Sequence, residues 1–306
     1  MVKNRLIHWW SAAGVVFAMP AIAQDSVTEA ASAEPDTIVV EGLREKDKGK
    51  AVNAFVRQTT DASPYSPLPF YDPDDYCPAA VGLSAAADAA ITARMFRVAQ
   101  AAKVRPADPT KCTPSALVVF TDDTQKTITR FRKLHPEYFL SLTGERIDFQ
   151  GMTGPVASWK ILARMDRNGN PVLTDTNGTQ IVESIVGFSR LESISRVVTA
   201  MSVLVIDKSA VRGLTWQQIA DFAAMRSLVD RPAQNAGTGV AQSILSVVDA
   251  PIGGETPLSL THWDLAYVKA RYSVPRFSYS VRQMAEMRSK MKRSLSAADI
   301  AADRKN

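Results

Sequence analysis

The sequence is poor in the residues that most often carry catalysis or bind metals. Three histidines occur among 306 residues, and His8 falls in an N-terminal apolar segment, which leaves His135 and His262. A catalytic zinc site usually takes two histidines four residues apart on a helix plus a third ligand, and this chain has no such pair. A Gly-x-Ser-x-Gly elbow and a glycine-rich phosphate loop are also missing. The sequence therefore predicts no metal site and no cofactor.

Apolar runs long enough to cross a bilayer are missing as well. Lys3 and Arg5 precede an apolar run that Pro20 interrupts before Ala21-Ile22-Ala23. This is the pattern of a secretory signal peptide, and the run is too short for a comfortable membrane span. We expect cleavage near Ala23 and a mature protein that works in the periplasm or is secreted.

Cysteine is equally rare, with only Cys77 and Cys112 in the chain. An oxidising compartment favours the pairing of two such cysteines in an exported protein. The alternative, a reactive thiol or a metal ligand, needs histidine partners that the chain hardly provides. We predict a disulfide that joins the proline-rich segment 64–78 to the start of a strand at 116–120.

Positive charge is modest and unevenly placed. The net charge is +5, and eight basic but only three acidic residues follow Pro275. Nucleic-acid-binding domains carry their positive charge on a folded stripe, so we expect no nucleic acid as a partner. In this tail Met284, Met287 and Met291 lie on one side of a basic amphipathic helix. Such a helix contacts an anionic membrane or an acidic partner peripherally, or else it docks on its own domain.

Hydrophobic periodicity predicts the α+β class, with a mixed or antiparallel sheet and packed helices. Strands are expected at 116–120, 156–165 and 202–207, and Asn168-Gly169 is a signal for a type I′ hairpin turn after the second of them. Asp166, Asn168 and Asn170 match the first spacings of a calcium loop, but Pro171 follows and no closing acid is present, so we treat the match as coincidence.

Helix starts are marked by capping residues. Ser84 is expected to cap a helix that ends before Pro106. Thr215 with Gln218, and Thr261 with Asp264, have the spacing of capping boxes, in which each side chain satisfies a free backbone amide of the other residue. Two further helices are therefore expected to begin after Thr215 and Thr261.

These signals divide the chain into four parts. We predict a signal peptide at 1–23, a flexible leader at 24–50, one globular α+β domain at 51–275 and a basic amphipathic helical tail at 276–306. Within the leader, Thr37-Ile38-Val39-Val40 resembles the TonB box of outer-membrane receptors, although an added edge strand is the simpler interpretation.

Candidate catalytic residues are few. If the helices after Thr215 and Thr261 pack side by side, Asp221, His262 and Asp264 form the best available polar cluster for a hydrolase. Asp72, Asp74 and Asp75 are neighbouring carboxylates on the proline-rich segment, and we interpret them as surface acids rather than a glycosidase pair.

A series of short motifs resembles an uncharacterised family of exported proteins from sphingomonad-like alphaproteobacteria. The resemblance extends over nearly the whole mature chain and implies export, but the family has no established activity. Its motifs are Tyr76-Cys77-Pro78, Arg94-Met95, Cys112-Thr113-Pro114, Pro136-Glu137-Tyr138-Phe139, Gln218 to Arg226, Ser243-Ile244-Leu245, Asp249-Ala250-Pro251 and Leu260-Thr261-x-Trp263-Asp264-Leu265.

The succession of a strand, a long helix and a final Leu-Thr-x-x-Asp helix also resembles the layout of zincin metalloproteases. Where zincins carry His-Glu-x-x-His, this chain has Gln217-Gln218-Ile219-Ala220-Asp221, so the resemblance implies a zincin-like fold without a metal site. We therefore expect a non-catalytic binding or scaffold domain of the cell envelope, whose partner is an unknown envelope protein or ligand. The alternative is a peptidase-like hydrolase with a different site.

Overall fold

The fold is built around one sheet in the middle of the chain. The computed structural model describes residues 45–140, 153–174, 180–181, 192–230, 243–251 and 254–296. The signal peptide at 1–23, its cleavage near Ala23 and the segment Ile38-Val39-Val40 lie outside the described residues.

Four strands form a mixed sheet in the order β1-β2-β6-β3. β2 pairs in parallel with both β1 and β6, whereas β3 runs antiparallel to β6. A separate two-stranded ladder joins β4 to β5. The strands are β1 (Pro78–Val81), β2 (Ala116–Thr121), β3 (Val156–Met165), β4 (Leu173–Thr174), β5 (Gln180–Ile181) and β6 (Arg196–Asp207). Together with the helices, this sheet confirms the predicted α+β class.

Three helices begin at the predicted caps. The Ser84 hydroxyl accepts a hydrogen bond from the Ala87 amide, and both capping boxes are formed, Thr215 with Gln218 and Thr261 with Asp264. The helices are α1 (Glu45–Thr59), α2 (Ala85–Ala101), α3 (Thr124–Leu134), α4 (Trp216–Leu228), α5 (His262–Arg271) and α6 (Ser280–Ser294), with short 3-10 helices at Pro136–Phe139, Lys208–Val211 and Ile244–Ser246.

Side chains on the two faces of the sheet pack into two separate hydrophobic cores. Leu204 and Ile206 of β6 face a large core that includes residues of α1, α2, α4, α5 and α6. Val203 and Val205 face a smaller core under α3 and the 3-10 helix at Pro136–Phe139. Because side chains of a strand alternate between its two faces, the apolar run of β6 fits a strand that is covered on both sides.

The predicted disulfide is present. Cys77 and Cys112 are joined, with their Cα atoms 6.1 Å apart. The Cys77 carbonyl also accepts hydrogen bonds from the amides of Ser115 and Ala116, at 2.9 and 3.0 Å. The bridge thus ties the strap, which we define as residues 60–77, to the start of the inner strand β2.

The predicted leader is too long. α1 begins at Glu45, inside the segment 24–50 that was expected to be flexible. Gly49, Val52 and Val56 are buried at helical spacing. The charged residues before position 51 therefore extend an amphipathic helix that packs against α6.

Residues 276–296 of the predicted tail at 276–306 are not separate from the domain. Met287 and Met291 of α6 are fully buried in the large core, and Met284 packs against it from a partly buried position. Gln283 accepts a hydrogen bond from the Leu68 amide at 2.7 Å and donates one to the Pro275 carbonyl at 2.8 Å. Of the two alternatives for this helix, the structure has the docked one, because its apolar side completes the core.

The turn after β3 differs from a type I′ hairpin. That turn needs a positive φ at both central residues, and of Asn168 and Gly169 only Gly169 has one, at +86°. The Asp166 carboxylate accepts hydrogen bonds from the amides of Asn168 and Asn170, both at 2.8 Å, and closes a wider loop. The residues that match a calcium loop are therefore hydrogen-bonded to one another.

Candidate functional site

Asp221, the first predicted catalytic residue, is fully buried in α4. Its carboxylate accepts hydrogen bonds from Arg94 Nε at 2.7 Å and Arg94 Nη2 at 2.9 Å. The backbone amide of Leu260 donates a third at 2.8 Å. Asp221 therefore links α2, α4 and the segment that leads into α5, which is a structural use of its charge.

Asp264 is also fully buried, at the first turn of α5. Besides the capping box with Thr261, its carboxylate accepts hydrogen bonds from Ser243 Oγ at 2.6 Å and from the Ile244 amide at 2.8 Å. Burial raises the pKa of Asp264 to about 6, although these donors act in the opposite direction. Asp264 holds the 3-10 helix at Ile244–Ser246 against α5.

The structure brings two of the three candidates together. Asp221 accepts a hydrogen bond from the amide of Leu260, and Asp264 accepts one from the amide of the next residue, Thr261, at 3.1 Å. The His262 side chain, in contrast, is exposed to solvent. The two helices do pack as expected, but both carboxylates are occupied by hydrogen bonds that hold the fold.

Gln218 also has a structural role. Gln218 accepts a hydrogen bond from the Thr215 amide at 3.0 Å and donates one to the Pro257 carbonyl at 2.9 Å. Within the described parts of the chain, no three His, Cys, Asp or Glu side chains are placed to hold a metal ion. None of the helices in those parts is long and apolar enough to cross a membrane.

A different group of charged side chains meets between β3, the end of α4 and the end of α5. Lys160 Nζ lies 2.6 Å from Asp230 Oδ1, and Arg271 Nη2 contacts Asp230 Oδ2. Arg271 Nη2 also donates to the Pro69 carbonyl at 2.7 Å. We call Lys160, Asp230 and Arg271 the cationic cluster, because two cations share one carboxylate.

The strand pattern places Lys160 in this cluster. Ala157, Trp159 and Ile161 of β3 face the smaller core. Lys160 alternates with them and points to the opposite face of the sheet. Arg271, the last residue of α5, reaches the same place with none of its side chain exposed, and its guanidinium lies 5.3 Å from the centre of the Phe70 ring.

The electrostatics of the cluster are unbalanced. Burial lowers the pKa of Lys160, the attraction of Asp230 offsets this in part, and repulsion from Arg271 and Arg226 adds to it. The pKa of Asp230 is lowered, because the attraction of Lys160 and Arg271 outweighs the effect of burial. Within the described part of the chain, Arg271 Nε and Nη1 are buried and no acceptor meets them at hydrogen-bond geometry, although the Tyr267 hydroxyl interacts with the guanidinium. The cluster therefore has more positive charge and more donors than its own carboxylate can satisfy.

The acids of the proline-rich segment pair with basic residues. Asp72 accepts two hydrogen bonds from Arg196 Nη1, at 2.5 and 2.6 Å, and is also contacted by Arg276. Asp74 pairs with Arg105 at 2.7 Å. Burial raises the pKa of Asp75, and the charges of Asp72 and Asp74 raise it further.

Sequence reasoning missed the cationic cluster, although one signal for it was available. Residues 156–165 alternate between apolar side chains and the series Ser158, Lys160, Leu162 and Arg164. A lysine and an arginine on one face of a long strand indicate that this face meets something polar. The partners Asp230 and Arg271 are distant in sequence and carry no local signal.

The chain has no match among protein-family models, among curated proteins or among solved structures. The resemblance to an uncharacterised exported family and the zincin-like layout therefore stay predictions.

Proposed function

We propose that this chain is an exported binding domain of the cell envelope and that its cationic cluster binds a small anion. The observation that carries this proposal is the imbalance at the cluster, where Lys160 and Arg271 face the single carboxylate of Asp230. Binding, rather than catalysis, is the function that the geometry supports best.

The cost of burying charge favours a ligand at this position. A buried cation that lacks a counter-ion is strongly destabilising, whereas a carboxylate or phosphate oxygen satisfies both its charge and its donors. Arg271 Nη1 and Nε are the donors that such an anion would use, with Lys160 as a second cation. The side chains of Lys160 and Asp230 are only 13% and 16% exposed and Lys160 Nζ itself is buried, so an anion would have to enter the cluster past these two side chains.

Two observations support export. The disulfide between Cys77 and Cys112 fits an oxidising compartment. The N-terminal sequence, with Lys3 and Arg5 before an apolar run and Ala23 at a small-residue site, fits a cleaved signal peptide. An anionic metabolite, or an anionic group of an envelope partner, would be met in that compartment.

Thermal denaturation with small anions tests the binding proposal. Acetate, succinate, citrate and phosphate are added separately to the purified protein at constant ionic strength. A ligand at about a hundred times its Kd stabilises by about 2.7 kcal/mol, so we expect a rise in Tm of roughly 5–10 °C for the best anion. Lys160→Met should remove most of this rise.

The matched control is Lys208→Met, which removes an exposed lysine that pairs with Asp122 at 3.3 Å. It should leave the anion response unchanged. Binding at the cluster is refuted if no anion raises Tm, or if Lys160→Met responds to anions like the unmodified protein.

A further inference from the structure

The exposed face of α3 carries a stripe of positive charge. Lys126, Arg130 and Lys133 follow one another at spacings of four and three residues and are all exposed, so they lie on one side of the helix. Thr124, Ile128 and Phe131 form the opposite side, which packs on the smaller core. Residues 124–134 contain no Asp or Glu. Within the helix, this face therefore has a single sign of charge, while the exposed acids Asp122 and Asp123 precede the helix and Glu137 follows it.

Two large apolar side chains accompany this stripe. Leu134 and Leu140 flank the 3-10 helix at Pro136–Phe139, and they are 56% and 62% exposed. Between them, Tyr138 stacks on Phe131 with the ring centres 5.2 Å apart, and the Trp159 indole donates to the Tyr138 carbonyl at 2.7 Å. The leucines are thus presented from a segment that aromatic packing holds in place.

We propose that this face of α3 docks on an anionic lipid surface, with Lys126, Arg130 and Lys133 over the headgroups and Leu134 and Leu140 inserted between them. The combination of cations with exposed apolar side chains is the chemistry of peripheral membrane binding. Charge complementarity selects the anionic surface, and the exposed leucines favour a lipid surface over an acidic protein. The methionines of α6 are not available for this role, since Met287 and Met291 are buried.

Vesicle co-sedimentation tests this proposal with the purified protein. Vesicles of phosphatidylcholine alone are compared with vesicles of equal parts phosphatidylcholine and phosphatidylglycerol, at low and at high salt. Each cation close to an anionic surface contributes about a fivefold increase in binding, so the three together contribute on the order of a hundredfold. We expect binding to the anionic vesicles only, and weaker binding at high salt.

The variant Lys126→Glu/Arg130→Glu/Lys133→Glu should lose at least about tenfold in binding to the anionic vesicles. The matched control, Lys50→Glu/Arg57→Glu/Arg97→Glu, reverses three exposed cations on α1 and α2, which pack on the large core at the other side of the sheet. It should bind like the unmodified protein. Leu134→Ser/Leu140→Ser should keep the salt dependence and bind more weakly.

A glutamine series at the same three positions guards against a folding defect, because it removes charge without reversing it. The proposal is overturned if the unmodified protein does not sediment with anionic vesicles, or if the α3 variant and its control lose binding equally. Binding to polyglutamate in place of the vesicles would also overturn it and would indicate an acidic protein partner.

Discussion

Removal of the disulfide should destabilise the protein through its unfolded state. The bridge joins residues that are 35 positions apart. Closing a loop of this length removes about 12–13 cal/mol/K of entropy from the unfolded chain, which amounts to about 4 kcal/mol at 25 °C. In the folded protein, the hydrogen bonds from Ser115 and Ala116 to the Cys77 carbonyl hold the same junction. The native structure around a Cys77→Ala/Cys112→Ala pair should therefore change little.

Urea unfolding of the unmodified protein and the double variant, followed by circular dichroism, measures this loss. We expect the midpoint to fall, with native spectra that superimpose. A loss below about 1 kcal/mol would refute the loop-entropy reasoning, because the unfolded chain would then gain little freedom. Reduction of the unmodified protein with dithiothreitol is a second way to measure this loss, because Cys112 is only partly buried and the reductant can reach the disulfide.

Two further perturbations test specific contacts. Gly82 follows β1 with a φ of +106°, and a Cβ there would lie 2.1 Å from the Phe120 carbonyl oxygen. Gly82→Ala should therefore lower the free energy of unfolding by about 2 kcal/mol or more, as measured by urea unfolding. An unchanged free energy of unfolding would contradict the close approach of β1 to β2. The pKa of Asp264 is raised from 3.8 to about 6, so the folded state binds this proton more tightly than the unfolded state does. Its contribution to stability is complete below about pH 4 and is lost as the pH rises through about 6, so the unmodified protein should lose on the order of 3 kcal/mol relative to Asp264→Asn over this interval. If the free energies of unfolding of the two proteins differ by a constant amount over this pH range, the raised pKa of Asp264 is contradicted.

The parts of the fold that depend on neighbouring residues were predictable. The caps at Thr215 and Thr261 are read from pairs of residues three positions apart and the cap at Ser84 from a serine before an apolar-periodic stretch, and each begins a helix as expected. The strands at β2, β3 and β6 follow from local alternation or from apolar runs. The disulfide was predictable for a different reason, because a chain with two cysteines has only one possible pairing within it.

The parts that depend on distant residues were not predictable. The charges of 45–50 suggested a flexible segment, but they belong to α1, whose residues Val52 and Val56 pack on the large core. Asp221 and Asp264 do approach the same segment, yet sequence alone could not show that Arg94 and Ser243 occupy their carboxylates. The cationic cluster likewise needs Lys160 and Arg271, which only the folded chain brings to one carboxylate.

The position of β6 in the sheet has a consequence for the order of folding. β6 lies between β2 and β3, although it follows both of them in the chain. β2 and β3 are therefore joined in one sheet only once β6 has paired with each of them. α6 comes later still, and its residues Ser280 and Gln283 bind the strap through Ser66 and Leu68. Contacts of such long sequence separation form late and slowly. The sheet would therefore become continuous only when β6 is available, and the strap would be fixed in place only after α6 has formed.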